Sequence, residues 1–161
     1  MRIAITGHRG LPAATERLVD RAIREQLATH AGSDLVGVSA LADGADQLFA
    51  LAVLDAGGQL EVIVPAAQYR DGLPESAHAA YDSLLAKAAD VERLDRIESD
   101  EQAHMEASRV MLARADRLFA VWDGQPARGY GGTADVVAEA RKRGVPVTVI
   151  WPEGASRDQA A

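Results

Sequence analysis

With 161 residues the chain is long enough to bury one sizeable core, and it reads as a single domain. A formal net charge of −7 gives no concentrated basic surface for a nucleic-acid backbone, and the lack of cysteine excludes disulfides and thiolate metal sites. The residues are 48% hydrophobic but only 4% aromatic, a balance that suits Ala-, Val- and Leu-rich helices packed on a parallel sheet.

Taken in order, residues 3–6 form the first strand. They lack the long apolar stretch of a signal peptide, and no segment approaches ~18 uninterrupted apolar residues, so no membrane span and a cytoplasmic location are expected. A helix follows at 13–29, where Leu18, Ala22, Ile23 and Leu27 make an apolar stripe and Arg17, Arg21, Arg24 and Glu25 face outward. Strands at 35–39 and 60–64 alternate with helices at 45–56 and 75–89. A weaker apolar run at 91–94 is a further strand candidate. A helix at 100–114, a strand at 118–122, a helix at 133–142 and a strand at 147–151 complete the pattern. Gly32, Gly57-Gly58 and Gly144 stand where helix C-caps are due, and Pro146 stops continuation.

The apolar runs are nearly continuous rather than alternating, as in parallel strands covered on both faces. Such β-α repetition predicts an open α/β sheet, mostly parallel, with five to six strands and helices on both faces. Residues 1–153 are expected to form the domain and 154–161 a flexible tail.

In such sheets ligands bind at the carboxyl ends of the strands, where the strand order reverses. The unusual local sequences all lie there. Thr6-Gly7-His8-Arg9-Gly10 follows the first strand, Ala42-Asp43-Gly44-Ala45-Asp46 the second, and Gly129-Tyr130-Gly131-Gly132-Thr133 precedes the helix at 133–142. A strand, a glycine-rich turn and a helix aim free N–H groups at an anion, and glycine lets a phosphate approach closely. The candidate ligand-binding residues are therefore Gly7, His8, Arg9, Gly44, Asp46, Asp123, Gly124, Gly131, Gly132 and Thr133. His8 and Arg9 are candidates for contacting a phosphate or a base. Asp43 and Asp46 can be read as an acidic capping box, or Asp46 as a pocket residue binding a ribose hydroxyl. Trp122 is either core or a base-stacking surface, and Tyr69 with Arg70 either a lid or a plain loop. No nicotinamide cofactor is expected, because the first loop lacks Gly-x-Gly-x-x-Gly and the second strand ends Val38-Ser39-Ala40 without an acid. A P-loop is excluded by the lack of Gly-Lys-Ser/Thr, and His30, His78 and His104 share no metal spacing, so neither cofactor nor metal is expected.

These loops together resemble the SLOG superfamily, the Rossmann-like group that includes Lonely Guy proteins and DNA-processing proteins. The similarity is greatest to its small bacterial single-domain members. It rests on Thr-Gly-His-Arg at 6–9, Gly-Ala-Asp at 44–46, Ala115-Asp116-Arg117-Leu118 leading to Trp122-Asp123-Gly124, and Gly131-Gly132-Thr133-Ala134-Asp135-Val136-Val137. Gly-Val-Pro-Val at 144–147 completes the series. The resemblance implies a Rossmann-like three-layer sandwich with a pocket for a nucleotide-derived ligand, and it raises homo-oligomerisation, with Met105, Met111 and Leu112 either at such an interface or only packed on the sheet.

Lonely Guy enzymes, which cleave the N-glycosidic bond of cytokinin nucleoside monophosphates, carry Pro-Gly-Gly-x-Gly-Thr-x-x-Glu. Aligned on Thr133, this chain has Val136 where that Glu belongs, and valine can neither transfer a proton nor stabilise an oxocarbenium ion. Their Arg-Lys pair meets Ala107 and Ser108, with Arg109 one step on. Asp135, Glu139 and Arg109 remain as weak catalytic candidates. The expectation is a sensor or regulatory module binding a nucleoside monophosphate or an ADP-ribose-like molecule without efficient hydrolysis. The alternative is a nucleotide N-glycosidase or phosphoribohydrolase. The −7 charge opposes a nucleic-acid partner.

Overall fold

The computed structural model describes residues 1–30 and 34–157, so the expected cap at Gly32 and the end of the expected tail lie outside the described residues. Six strands form one parallel sheet: β1 (Arg2–Gly7), β2 (Val36–Ser39), β3 (Gln59–Val64), β4 (Asp90–Arg93), β5 (Arg117–Val121) and β6 (Val147–Ile150). Their order is β4-β3-β2-β1-β5-β6. Five α-helices join them: α1 (Ala13–Thr29), α2 (Ala45–Asp55), α3 (His78–Ala86), α4 (Glu101–Arg114) and α5 (Thr133–Lys142). The expected α/β sheet is present with all six strands, the weak run at 91–94 being the edge strand β4. No helix among the described residues is long and apolar enough to cross a membrane.

The strands are covered on both faces. On one, Ile3, Ile5, Phe119 and Val121 meet Val19, Ile23 and Leu27 of α1 and Phe49 and Val53 of α2. On the other, Ala4, Val38, Leu60 and Leu118 meet Met105, Met111 and Leu112 of α4 and Val136 and Ala140 of α5. Gly37 in β2 is needed because α2 lies so close: a Cβ there would sit 2.7 Å from Val53. Met105, Met111 and Leu112 are at most 4% exposed, so the apolar contacts considered for an oligomer interface belong to the core of one chain.

The segment expected to be one helix at 75–89 starts instead as a 3₁₀ turn, Glu75–Ala77, behind Pro74, and α3 ends at Ala86. Residues placed in the tail also make contacts: Thr15 Oγ1 donates to Ser156 O at 2.8 Å and accepts from Ser156 N at 3.0 Å.

Chain order reverses between β1, whose neighbours on one side are β2, β3 and β4, and β5 on the other. Gly7 and Val121 are partners at the carboxyl end of this pair, and a crevice must open above them.

Candidate functional site

A cleft of about 420 Å³ opens at that switch point. Gly7, His8 and Arg9 line it from β1, Asp46 from α2, Tyr69 from the loop after β3, residues 125–132 from the loop after β5, and Thr133 and Ala134 from the start of α5. The first loop and the Gly-Gly-Thr turn thus share one cavity, although far apart in sequence. The start of α1 takes no part, since Leu11, Pro12 and Ala13 are not among the lining residues. The first loop therefore brings no N-terminus of α1 to the cleft, whereas the Gly-Gly-Thr turn brings the start of α5.

His8 joins the two halves. It is 5% exposed, and its ring meets Trp151 edge-on with centroids 5.5 Å apart. The backbone N–H of Asp123 donates to His8 Nε2 at 3.0 Å. A backbone amide can only donate, so Nε2 is the acceptor and Nδ1 carries the proton. The 3.2 Å approach of Asp123 Oδ1 to the same Nε2 is then a contact without a shared proton, and Oδ1 accepts from Gln125 N at 3.0 Å instead. His8 Nδ1 faces Thr133 Oγ1 at 3.4 Å, which leaves the threonine proton to point into the cleft. Burial, then the positive Arg157, lower the His8 pKa from 6.5, so the ring is neutral at pH 7. Because the unfolded chain takes up this proton first, His8 makes stability fall as pH drops below about 6.5. His8→Ala should cost about 2–3 kcal/mol by orphaning the Asp123 N–H, and His8→Gln, which restores an acceptor, less. Urea unfolding at pH 7.5 reads the difference.

The glycine turn uses its own amides. Gly131 N donates to Asp135 Oδ2 at 2.9 Å, and Gly132 N to Gly129 O at 3.2 Å. Gly131 has φ +82°, and a Cβ there would lie 2.9 Å from Glu101 O. The donors left for an anion are therefore one step further on. Thr133 and Ala134 begin α5, where N–H groups have no acceptor within the helix, and Gly132 provides no side-chain cap. Arg128 and Arg157 also line this end of the cleft, and both are close enough to depress the His8 pKa.

The opposite wall is acidic. The capping-box reading of Asp43 and Asp46 is not realised: Gly44 is the N-cap of α2, without a side-chain bond. Asp43 instead accepts from Arg9 Nε at 2.8 Å and Gly10 N at 2.9 Å, stitching the first two loops together. Asp46 is 8% exposed, and its Oδ2 accepts from Ala42 N at 3.3 Å. Burial pushes the Asp46 carboxyl up to about 7, although the Ala42 N–H and Arg9 favour its charge. Burial and then the neighbouring Asp46 hold the Tyr69 phenol well above 10. His104 lies edge-on to Tyr69, with centroids 5.6 Å apart, and bonds Ser99 Oγ at 2.9 Å.

Gly44, Asp123 and Gly124 are not among the lining residues; Gly44 and Asp123 back the first loop through His8. A Cβ on Gly44 would lie 2.6 Å from His8 O. Asp135, Glu139 and Arg109 also stand outside the lining. Asp135 holds the Gly131 amide, while Glu139 pairs with Arg143 at 3.1 Å and with Arg109 at 3.6 Å. Trp122 donates its indole N–H to Gln125 O at 2.8 Å, and Arg141 stacks 5.9 Å from its ring, away from the cleft. Tyr69 reaches the cleft, but Arg70 forms a fork with Asp82 at 2.8 Å. The sequence reading missed His104, Ser108 and Met111, which line the cleft from α4. Their spacing of four and three residues is a helical face, hidden because it mixes polar and apolar side chains.

No protein-family model matches the chain, and no curated protein matches it in sequence. Solved structures do. DNA processing protein A of Helicobacter pylori, described for its single-stranded DNA binding, aligns at 17% identity with a TM-score of 0.69, over 97% of this chain and 68% of that one. DNA processing protein A of Streptococcus pneumoniae aligns at 17% identity and TM-score 0.67, over 95% of this chain; this chain spans about half, 51%, of that protein. The Moco carrier protein of Chlamydomonas reinhardtii aligns at 19% identity and TM-score 0.56, over 92% of this chain and 75% of that one. At these identities the likeness is one of fold, and the chain has the Rossmann-like α/β fold of these proteins.

Proposed function

We propose that this chain binds a nucleotide or nucleotide-derived anion, a nucleoside monophosphate or an ADP-ribose-like molecule, as a sensor or regulatory module without efficient hydrolysis. The observation that carries the reading is the uncapped start of α5, opening into the cleft beside the Thr133 hydroxyl, Arg128 and Arg157. Backbone N–H groups, a helix dipole and guanidinium groups together favour a phosphate. The resemblance to SLOG proteins supports the same ligand class. Against turnover stands Val136, which is 2% exposed in the core rather than in the cleft.

Thermal unfolding with AMP and ADP-ribose tests this. Saturation at a hundred times Kd adds roughly 2.7 kcal/mol, or about 5–10 °C for a domain of this size. Thr133→Val, which keeps the shape and removes the hydroxyl donor, should weaken AMP binding about 10-fold. No shift with either compound at millimolar concentration removes the reading. The N-glycosidase alternative retains one carboxyl group in the cleft among the described residues, Asp46, and predicts free base on chromatography. A salt-sensitive gel shift with a single-stranded oligonucleotide would move the reading to nucleic acid.

A further inference from the structure

The acid wall of the cleft contains a group that anion binding by α5 does not require. Asp46 is 8% exposed and lies among the lining residues. One carboxyl oxygen, Oδ2, is fixed by the Ala42 N–H at 3.3 Å. Oδ1 has no hydrogen-bond partner among the described residues and is not sealed from the cleft. An ionised carboxylate here would leave a charge in a nearly dry wall with one neutral donor to hold it, an arrangement proteins avoid by keeping the proton.

The neighbours relieve that charge only in part: Arg9 favours the ionised form, and burial outweighs it. Arg9, from the β1 loop, is bonded through Nε to Asp43, the other acid near Asp46. Tyr69, from the loop after β3, stays in its neutral phenol form. His104, from α4, is half-buried and neutral at pH 7, since burial and then Arg9 lower its pKa. Arg9 thus shares its charge with Asp43, while the loop after β3 and α4 bring neutral groups.

We propose that Asp46 is a specificity-determining contact, donating its carboxyl proton from Oδ1 to an acceptor atom of the anionic ligand, so that the site takes its ligand best on the acid side of neutrality. The inference rests on the anion-binding reading above and adds its polarity. A ligand that places a ring nitrogen, a carbonyl or a protonated phosphate oxygen's neighbour against this wall is favoured over one offering a hydroxyl proton. An ionised Asp46 would select the reverse, accepting from a ribose hydroxyl. The carboxyl titrates near 7, so about one molecule in 30 is competent at pH 8.5, and apparent affinity scales with that fraction.

Isothermal calorimetry with AMP at pH 6.0 and 8.5 tests the proposal. Asp46→Asn is a permanent stand-in for the protonated acid: its carbonyl accepts from Ala42 N and its amide donates into the cleft. Between the two pH values, AMP binding to the unmodified protein should weaken about 30-fold more than binding to Asp46→Asn. Comparison with the variant cancels titration of the phosphate itself. As a measurement needing no variant, proton uptake at pH 8.0, read from heats in two buffers and corrected with inorganic phosphate as ligand, should approach one per AMP. Parallel pH profiles for the two proteins, or no proton uptake, overturn the proposal while leaving anion binding intact. Tighter binding by the unmodified protein at pH 8.5 overturns it in favour of an ionised contact. Failure of AMP, ADP-ribose and inorganic phosphate to bind at either pH overturns both readings together.

Discussion

Asp46→Asn is expected to change how the stability of the protein depends on pH, and to do so more than any other single charge removal. In the unfolded chain this carboxyl titrates near 3.8, and in the folded protein near 7. The native state therefore holds the proton that the unfolded state has lost. This contribution is fully present below pH 3.8 and disappears as pH rises through 7. Three tenfold steps separate the two values, which corresponds to about 4 kcal/mol. The asparagine keeps the Ala42 bond and has no proton to lose. Urea unfolding at pH 4.5 and pH 8 should show the variant gaining on the unmodified protein by a few kcal/mol at the higher pH. His8 works in the opposite direction below about 6.5, but it is common to both proteins and cancels in the difference. An equal difference at both pH values would show that the native carboxyl is already ionised at pH 4.5.

Gly44→Ala is the second large effect. Gly44 has φ +86° and ψ −129°, a region that residues with a Cβ avoid at a cost of about 1–3 kcal/mol. The added Cβ would also sit 2.6 Å from His8 O and 3.2 Å from Arg9 Cα, backbone atoms that have no rotamer to change. Relieving that overlap adds about 1–3 kcal/mol and displaces the first loop from the cleft. The result is a loss of about 2–6 kcal/mol, a large share of an ordinary domain's stability, together with loss of ligand binding. Gly57→Ala is the control: φ is +82° but nothing lies within 4 Å, so the backbone penalty stands alone at about 1 kcal/mol. Equal costs at the two positions would mean that the first two loops are not wedged together as described.

The order of strands and helices was legible in the sequence because most of the parallel strands are short, nearly unbroken apolar runs, and the longer segments between them read as helices, α1 with a clear apolar stripe. β4 was the faintest because Asp90–Arg93 is a polar edge strand, with one side paired to β3 and little to bury. The site was legible as loops but not as contacts. Gly131, Gly132 and Thr133 were singled out as donors, yet two of their amides serve the turn itself. Asp43 and Asp46 fit a local capping pattern at their spacing, but a partner in another loop, Arg9, drew Asp43 away. His104, Ser108 and Met111 gave no warning, since a helix face that mixes polar and apolar side chains reads neither as core nor as a site until a cavity is found beside it.

The sequence by itself determined the alternation of elements, the parallel sheet and the edge on which unusual loops gather, because periodicity and turn chemistry act over a few neighbouring residues. The tertiary structure alone decided which N–H groups remain open, that His8 bridges to Thr133, and that Asp46 lies nearly dry beside Tyr69. Hydrogen-bond partners and burial depend on residues more than a hundred positions away, and a carboxyl changes its proton affinity according to what encloses it.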